Sequence, residues 1–125
     1  VIWRDGRVLL AQRRPEGLLG GLWEFPGGKQ EAGETLEDCL RRELREELGI
    51  EVEIGPQLMT LAHAYSHFRL TLHVFTCRHT SGEPQALGCA AWRWVAPDEL
   101  ASFAMAATDR QIAQQVAMLP VPPSD

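Results

Sequence analysis

Residues 28–50, GKQEAGETLEDCLRRELREELGI, combine a glycine-led turn, one helix and glutamates at spacings suited to a metal ion. The helix is expected to start at Thr35, whose hydroxyl can cap it while Asp38, three residues on, partners it in a capping box; Gly49 supplies the stop. Leu36, Leu40, Leu44 and Leu48 recur every four residues and form the stripe that faces the core. Glu43, Glu46 and Glu47 stand at i, i+3 and i+4, so their carboxylates project from one face. Like charges that close repel unless a cation sits among them, and an all-oxygen donor set selects Mg²⁺, Mn²⁺ or Ca²⁺ over zinc. Arg41 and Arg45 point the opposite way and cannot neutralise the cluster. Arg42 flanks Glu46 one turn away and can reach back to Glu34, which would pin the preceding loop to the helix.

An acidic helix is ordinarily a solvated surface. Here the constraint runs through the whole stretch: glycine, five residues, glutamate, seven residues, then R-E-apolar-x-E-E-x-G-apolar. Gly28, Glu34, Arg42, Glu43, Leu44, Glu46, Glu47, Gly49 and Ile50 carry it. At average residue frequencies, chance agreement is on the order of one in a billion per window. The stretch resembles the Nudix box of the hydrolases that cleave nucleoside-diphosphate-linked compounds, with every signature position filled. The resemblance implies an α/β fold in which helices sandwich a mixed β-sheet, with Gly28, Glu34, Arg42 and Gly49 as structural positions of the box. Glu46 and Glu47 are the first-choice ligands of Mg²⁺, for which Mn²⁺ can substitute, and by resemblance the backbone carbonyl of Gly27 joins them. Glu43 lies on the same face and is expected either to hold a second metal or to act as general base on the attacking water.

Composition narrows the function classes. With 125 residues and 45% hydrophobic content, the chain is expected to form one domain over residues 1–118, with residues 119–125 (LPVPPSD) a disordered tail. A net charge of −5 argues against stable duplex DNA binding, whose affinity comes mainly from lysine and arginine neutralising phosphates. A small nucleotide is the expected partner. Cys39, Cys77 and Cys89 are odd in number and lack metal-ligand spacing, so they read as reduced thiols, in keeping with a cytoplasmic location. No apolar run approaches membrane-spanning length and no signal peptide opens the chain. Residues 1–3 already read as the inside of a strand, so residues upstream are expected.

The scaffold follows from turn signals. VIWR and RVLLAQR flank Asp5-Gly6, a hairpin signal. A glycine- and leucine-rich loop, PEGLLGGL, leads to a short strand at 23–25 and the Pro26-Gly27-Gly28 turn. Strands are expected at 51–63, 67–78 and 92–95, a turn at 81–84, a helix starting at Pro97 and a closing helix over 109–118.

Substrate recognition rests on GLLGGLWEFPGGK, HAYSHFRLTLHVF, W-x-W-V-x-x-x-E-L and the region 103–112. Together they resemble the MutT branch, which hydrolyses 8-oxo-dGTP to the monophosphate and pyrophosphate. They also resemble the C-terminal MutT-like domain of the MutY adenine glycosylase, whose H-x-[FY]-S-H loop reads 8-oxoguanine in DNA; here that loop would be His63, Ser66 and His67 with Tyr65. A complete acidic box favours the enzyme. The MutT resemblance places Phe25, Phe68 and Asp109 at the base, with Arg14 and Lys29 as candidates for the phosphates. Trp23, Tyr65 and Phe68 are candidates for stacking. Asp109 stands where the MutT pattern has a base-reading asparagine, and an ionised aspartate accepts but does not donate. Residues 85–91, where MutT-like enzymes often carry another metal-binding carboxylate, contain no acid. ADP-ribose, dinucleoside polyphosphates and canonical dNTPs are alternative substrates.

Overall fold

A computed structural model describes residues 1–64, 66–120 and 122. Its elements are β1 (Ile2–Arg4), β2 (Arg7–Gln12), β3 (Trp23–Glu24), α1 (Leu36–Leu48), β4 (Glu51–Ala64), β5 (Arg69–Ser81), β6 (Ala91–Val95), a 3₁₀ helix (Pro97–Ser102) and α2 (Ala107–Ala117). The strands make a mixed sheet in the order β3-β2-β1-β5-β4, with β6 also paired to β2. Only the β1–β5 pair is parallel among the named strand pairs. The Asp5-Gly6 hairpin forms as expected, and both residues take the positive φ (49° and 76°) that its tight turn requires.

Alternation along β1 and β2 builds the sandwich. Val1, Trp3, Val8 and Leu10 point to one side of the sheet, where they pack with Leu100, Ile112, Ala113 and Val116 of the 3₁₀ helix and α2. Ile2, Leu9 and Ala11 point to the other side and pack with Leu44 and Leu48 of α1. Both faces of β2 are therefore covered, which is why it reads as an unbroken apolar run rather than an alternating one. Burial of nine large side chains on these two faces, at about 1.5–3 kcal/mol each, is the main favourable contribution to folding.

The Thr35 hydroxyl accepts from the Asp38 amide at 3.0 Å, and Gly49 closes the helix at φ 67°. The Asp38 carboxylate serves Arg41 at 3.3 Å. Several boundaries differ from expectation, among them β5, which runs over Arg69–Ser81 rather than 67–78. β3 stops at Glu24 because the Phe25 amide leaves the ladder for the Asp109 carboxylate at 3.1 Å. The Pro97 segment closes as a six-residue 3₁₀ helix, and α2 begins at Ala107, which places Asp109 in its first turn. All three cysteines are free and buried. Of the expected disordered tail, residues 121 and 123–125 lie outside the described residues, as does Tyr65. Among the described residues no helix is long and apolar enough to cross a membrane.

Candidate active site

Arg42 organises the acidic helix. Its guanidinium donates to both oxygens of Glu34 (2.7 and 3.1 Å), to Glu43 (2.7 Å), to Glu46 (3.3 Å) and to the carbonyl of Lys29 (3.1 Å). One side chain thus ties the glycine loop to α1, as the Arg42–Glu34 reach predicts, and takes up Glu43 as well. Arg41 and Arg45 face Asp38 and Glu51 and stay out of the cluster. The Arg42 hydrogen bonds, helped by the Glu31 amide, hold the Glu34 carboxyl down at about 2. A carboxyl with a depressed pKa adds stability that is fully present above its unfolded value near 4.5 and is lost as pH falls toward 2. Glu34→Gln is therefore expected to melt below wild type at neutral pH, with the gap closing as pH drops from 4.5 toward 2. A gap that persists at pH 2 in thermal unfolding would show that the ion pair is not its source.

Glu43 and Glu47 converge. The Glu43 carboxylate lies against Gly28, where any Cβ would overlap it, so the box glycine makes room for an acid rather than for a turn. Glu47 is half-buried beside it, and burial first, then the negative charges of Glu43 and Glu24, push the Glu47 carboxyl up to about 7. Glu46 is 59% exposed and shares the Nη1 of Arg42 with Glu43, at 3.3 Å against 2.7 Å. Among the described residues, no three His, Cys, Asp or Glu side chains are gathered as a ready metal cage. The donor set nevertheless suits a hard divalent cation. Two carboxylates meet in partly desolvated surroundings, the acids of the box offer oxygen donors, and a cation would offset the burial and the like-charge repulsion that raise Glu47.

A cleft of about 190 Å³ opens beside Glu47, lined by Arg13, Arg14, Leu18, Glu24, Gly88 and Cys89 among others. Arg13 and Glu24 were not singled out from the sequence. Arg13 donates through Nη1 to Glu24 at 2.8 Å and through Nε to the carbonyl of Leu18 at 2.8 Å, so its guanidinium is held at the mouth of the cleft. Arg14 also lines the cleft and bonds the carbonyl of Leu87 at 3.0 Å. A larger cavity of about 590 Å³, bounded by Arg4, Glu53, Arg78 and His79, contains none of the box residues.

Asp109 sits next to this group. It is bonded to the Phe25 amide, and burial, together with the charge of Glu24, lifts its carboxyl to about 6 against the pull of that hydrogen bond. The Phe25 ring is in the core, so it is the backbone of Phe25 that meets Asp109. Trp23 packs edge-on against Phe103 at 5.3 Å between ring centres and is partly buried against the core. Phe68 is exposed beside the start of β5, next to Ser66 and His67, and Lys29 is exposed on the glycine loop.

The NUDIX domain family matches residues 1–115. The CTP pyrophosphohydrolase of Escherichia coli is 39% identical over 109 residues, which cover 87% of this chain and 81% of that protein. The 8-oxo-dGTP diphosphatase of Proteus vulgaris is 46% identical over 72 residues, covering 58% of this chain and 64% of that one. The crystal structure of a MutT Nudix hydrolase from Burkholderia pseudomallei superposes with a TM-score of 0.81 at 32% identity, over 92% of each chain. A filled box on a six-stranded mixed sheet, a matching family over nearly the whole chain and MutT-type relatives lead to one assignment: the chain belongs to the Nudix hydrolases and is a MutT-like nucleotide pyrophosphohydrolase.

Proposed function

We propose that the chain hydrolyses a nucleoside triphosphate at an inner phosphorus, releasing a monophosphate and pyrophosphate, with Mg²⁺ held by Glu46, Glu47, Glu43 and the carbonyl of Gly27. One observation carries this reading. The partly desolvated Glu43–Glu47 pair adjoins a cleft whose other walls bear Arg13 and Arg14. Carboxylates alone would repel a triphosphate, and guanidiniums alone would bind it without preparing water. A bound divalent cation supplies charge withdrawal from the phosphorus and acidification of water. Arg13, kept in place by Glu24 and Leu18, holds phosphate oxygens together with Arg14, and Lys29 stands at the rim. In this proposal Glu43 takes a proton from the attacking water, a role supported by the hold of Arg42 and Gly28 on its carboxylate.

Asp109 is the base-reading group in this proposal, with Phe68 flanking the base. As a carboxylate it accepts hydrogen bonds, and 8-oxoguanine offers N–H donors at N1, N2 and N7, which makes 8-oxo-dGTP the favoured substrate. CTP is the second reading, supported by the activity named for the E. coli relative; cytosine offers only its amino group as donor. A screen with Mg²⁺ against 8-oxo-dGTP, CTP, the four dNTPs, ADP-ribose and dinucleoside polyphosphates decides among them. The preferred triphosphate is expected to yield pyrophosphate and monophosphate on ion-exchange chromatography. Orthophosphate and a diphosphate as first products would overturn the inner-phosphorus mechanism while leaving the fold untouched.

A further inference from the structure

Residues 85–90 cross the C-terminal end of α1 as a strap. The Gln85 amide bonds the carbonyl of Leu48 at 2.9 Å, and the amides of Leu87 and Gly88 both bond the carbonyl of Glu47, at 3.1 and 3.0 Å. These carbonyls belong to the last turn of a helix, where they have no partner within the helix itself. The strap is anchored at its far end by the Ala90 amide on the carbonyl of Gln12 at 2.8 Å. From outside, Arg14 clamps it through the carbonyl of Leu87 at 3.0 Å.

At Gly88 the strap presses on the acidic site. A Cβ built there would stand 3.0 Å from Cγ, 3.2 Å from Cα and 3.3 Å from Cβ of Glu47. The Cα belongs to a packed helix and has little freedom to retreat, so a larger residue must lift the strap or swing the Glu47 side chain. Gly88 also lines the same cleft as Glu47, so contact and access meet at one point. We propose that this strap sets the direction of the Glu47 carboxylate, and that Gly88 is a positioning residue for it; the inference rests on Glu47 being a metal ligand.

The test uses binding of Mn²⁺ to the metal-stripped full chain, followed by the electron paramagnetic resonance of free Mn²⁺ and so independent of turnover. Gly88→Ala is expected to weaken Mn²⁺ binding about tenfold, the scale found for residues that orient metal ligands. In a Glu47→Gln background the same substitution is expected to change binding no further, because it acts through that carboxylate. Equal loss in both backgrounds, or none in wild type, would overturn the proposal. Arg14→Gln reaches the strap from the surface, where folding is not at stake. Removing a positive charge near the cation should by itself tighten Mn²⁺ binding, whereas loosening the strap weakens it. Weaker binding is expected, and tighter or unchanged binding would count against the strap. If Glu47→Gln alone leaves Mn²⁺ binding unchanged, the ligand reading beneath the inference has failed; if it weakens binding while Gly88→Ala does not, only the positioning role has.

Discussion

Glu47→Gln is expected to reduce turnover with Mg²⁺ by roughly 10²- to 10³-fold while the chain stays folded. The size of the loss follows from the place of the side chain: it is half-buried beside Glu43 at the cleft, and the amide oxygen that replaces a carboxylate oxygen brings no charge to a cation. The fold is expected to survive because Leu44 and Leu48, not Glu47, form the buried face of α1. A second measurement separates charge from packing. With its carboxyl raised from 4.5 to about 7, Glu47 stays protonated in the native state over a range where the unfolded chain has already ionised. In EDTA, that contribution to stability is complete below pH 4.5 and is lost as pH rises through 7. The variant has no such group, so its melting temperature relative to wild type should climb across that window. Near-normal turnover would remove Glu47 from the metal site, and parallel melting profiles would remove the charge crowding invoked to explain its pKa.

The box helix was legible because each of its signals is local. Thr35, the four-residue leucine spacing and Gly49 act within one turn of their own positions; the structure realises both caps, and of the leucines it buries Leu44 and Leu48, packs Leu40 partly and leaves Leu36 out of the core. Arg42–Glu34 was legible for a related reason, since a helix and the loop just before it leave few geometries for an eight-residue reach. Arg13 and Glu24 were harder. Their placement depends on strand register, which joins residues eleven positions apart. Ala11 faces α1, but β2 ends at Gln12, so alternation gives no direction for Arg13 and Arg14, both of which line the cleft beside Glu47. Glu24 stands opposite Ala11 across the β2–β3 ladder, so it projects from the same side as Ala11. Gly88 left no such trace: its contact with Glu47 joins residues far apart in the chain, in a loop with no periodicity. The aromatic residues were ambiguous for the opposite reason. Trp23 and Phe25 sit in a run suited equally to a core and to a base pocket; the Phe25 ring is buried in the core and the Trp23 ring packs partly buried against it, leaving the Phe25 amide to hold Asp109.

Asp109→Asn tests the base contact. The substitution keeps an oxygen to accept from the Phe25 amide, so the start of α2 should hold its place. What changes is the remaining edge, which in the carboxylate only accepts and in the amide can also donate. The ratio of kcat/KM between nucleotides that present N–H donors and those that present acceptors is expected to shift by about tenfold or more. Turnover on the best substrate should change less, because base contacts select while the acidic helix performs the chemistry. Burial gives the same argument a pH dependence. With its carboxyl lifted from 3.8 to about 6, Asp109 is ionised above neutrality and becomes a hydroxyl donor as pH falls through 6. Wild-type selectivity is then expected to drift toward that of the asparagine variant between pH 7.5 and 5.5, while the variant's own ratio stays flat. Taking ratios cancels any loss of metal affinity at the lower pH, since both nucleotides share one metal site. A selectivity ratio untouched by the substitution and by pH would place the base elsewhere, with the exposed Phe68 at the start of β5 as the next residue to change.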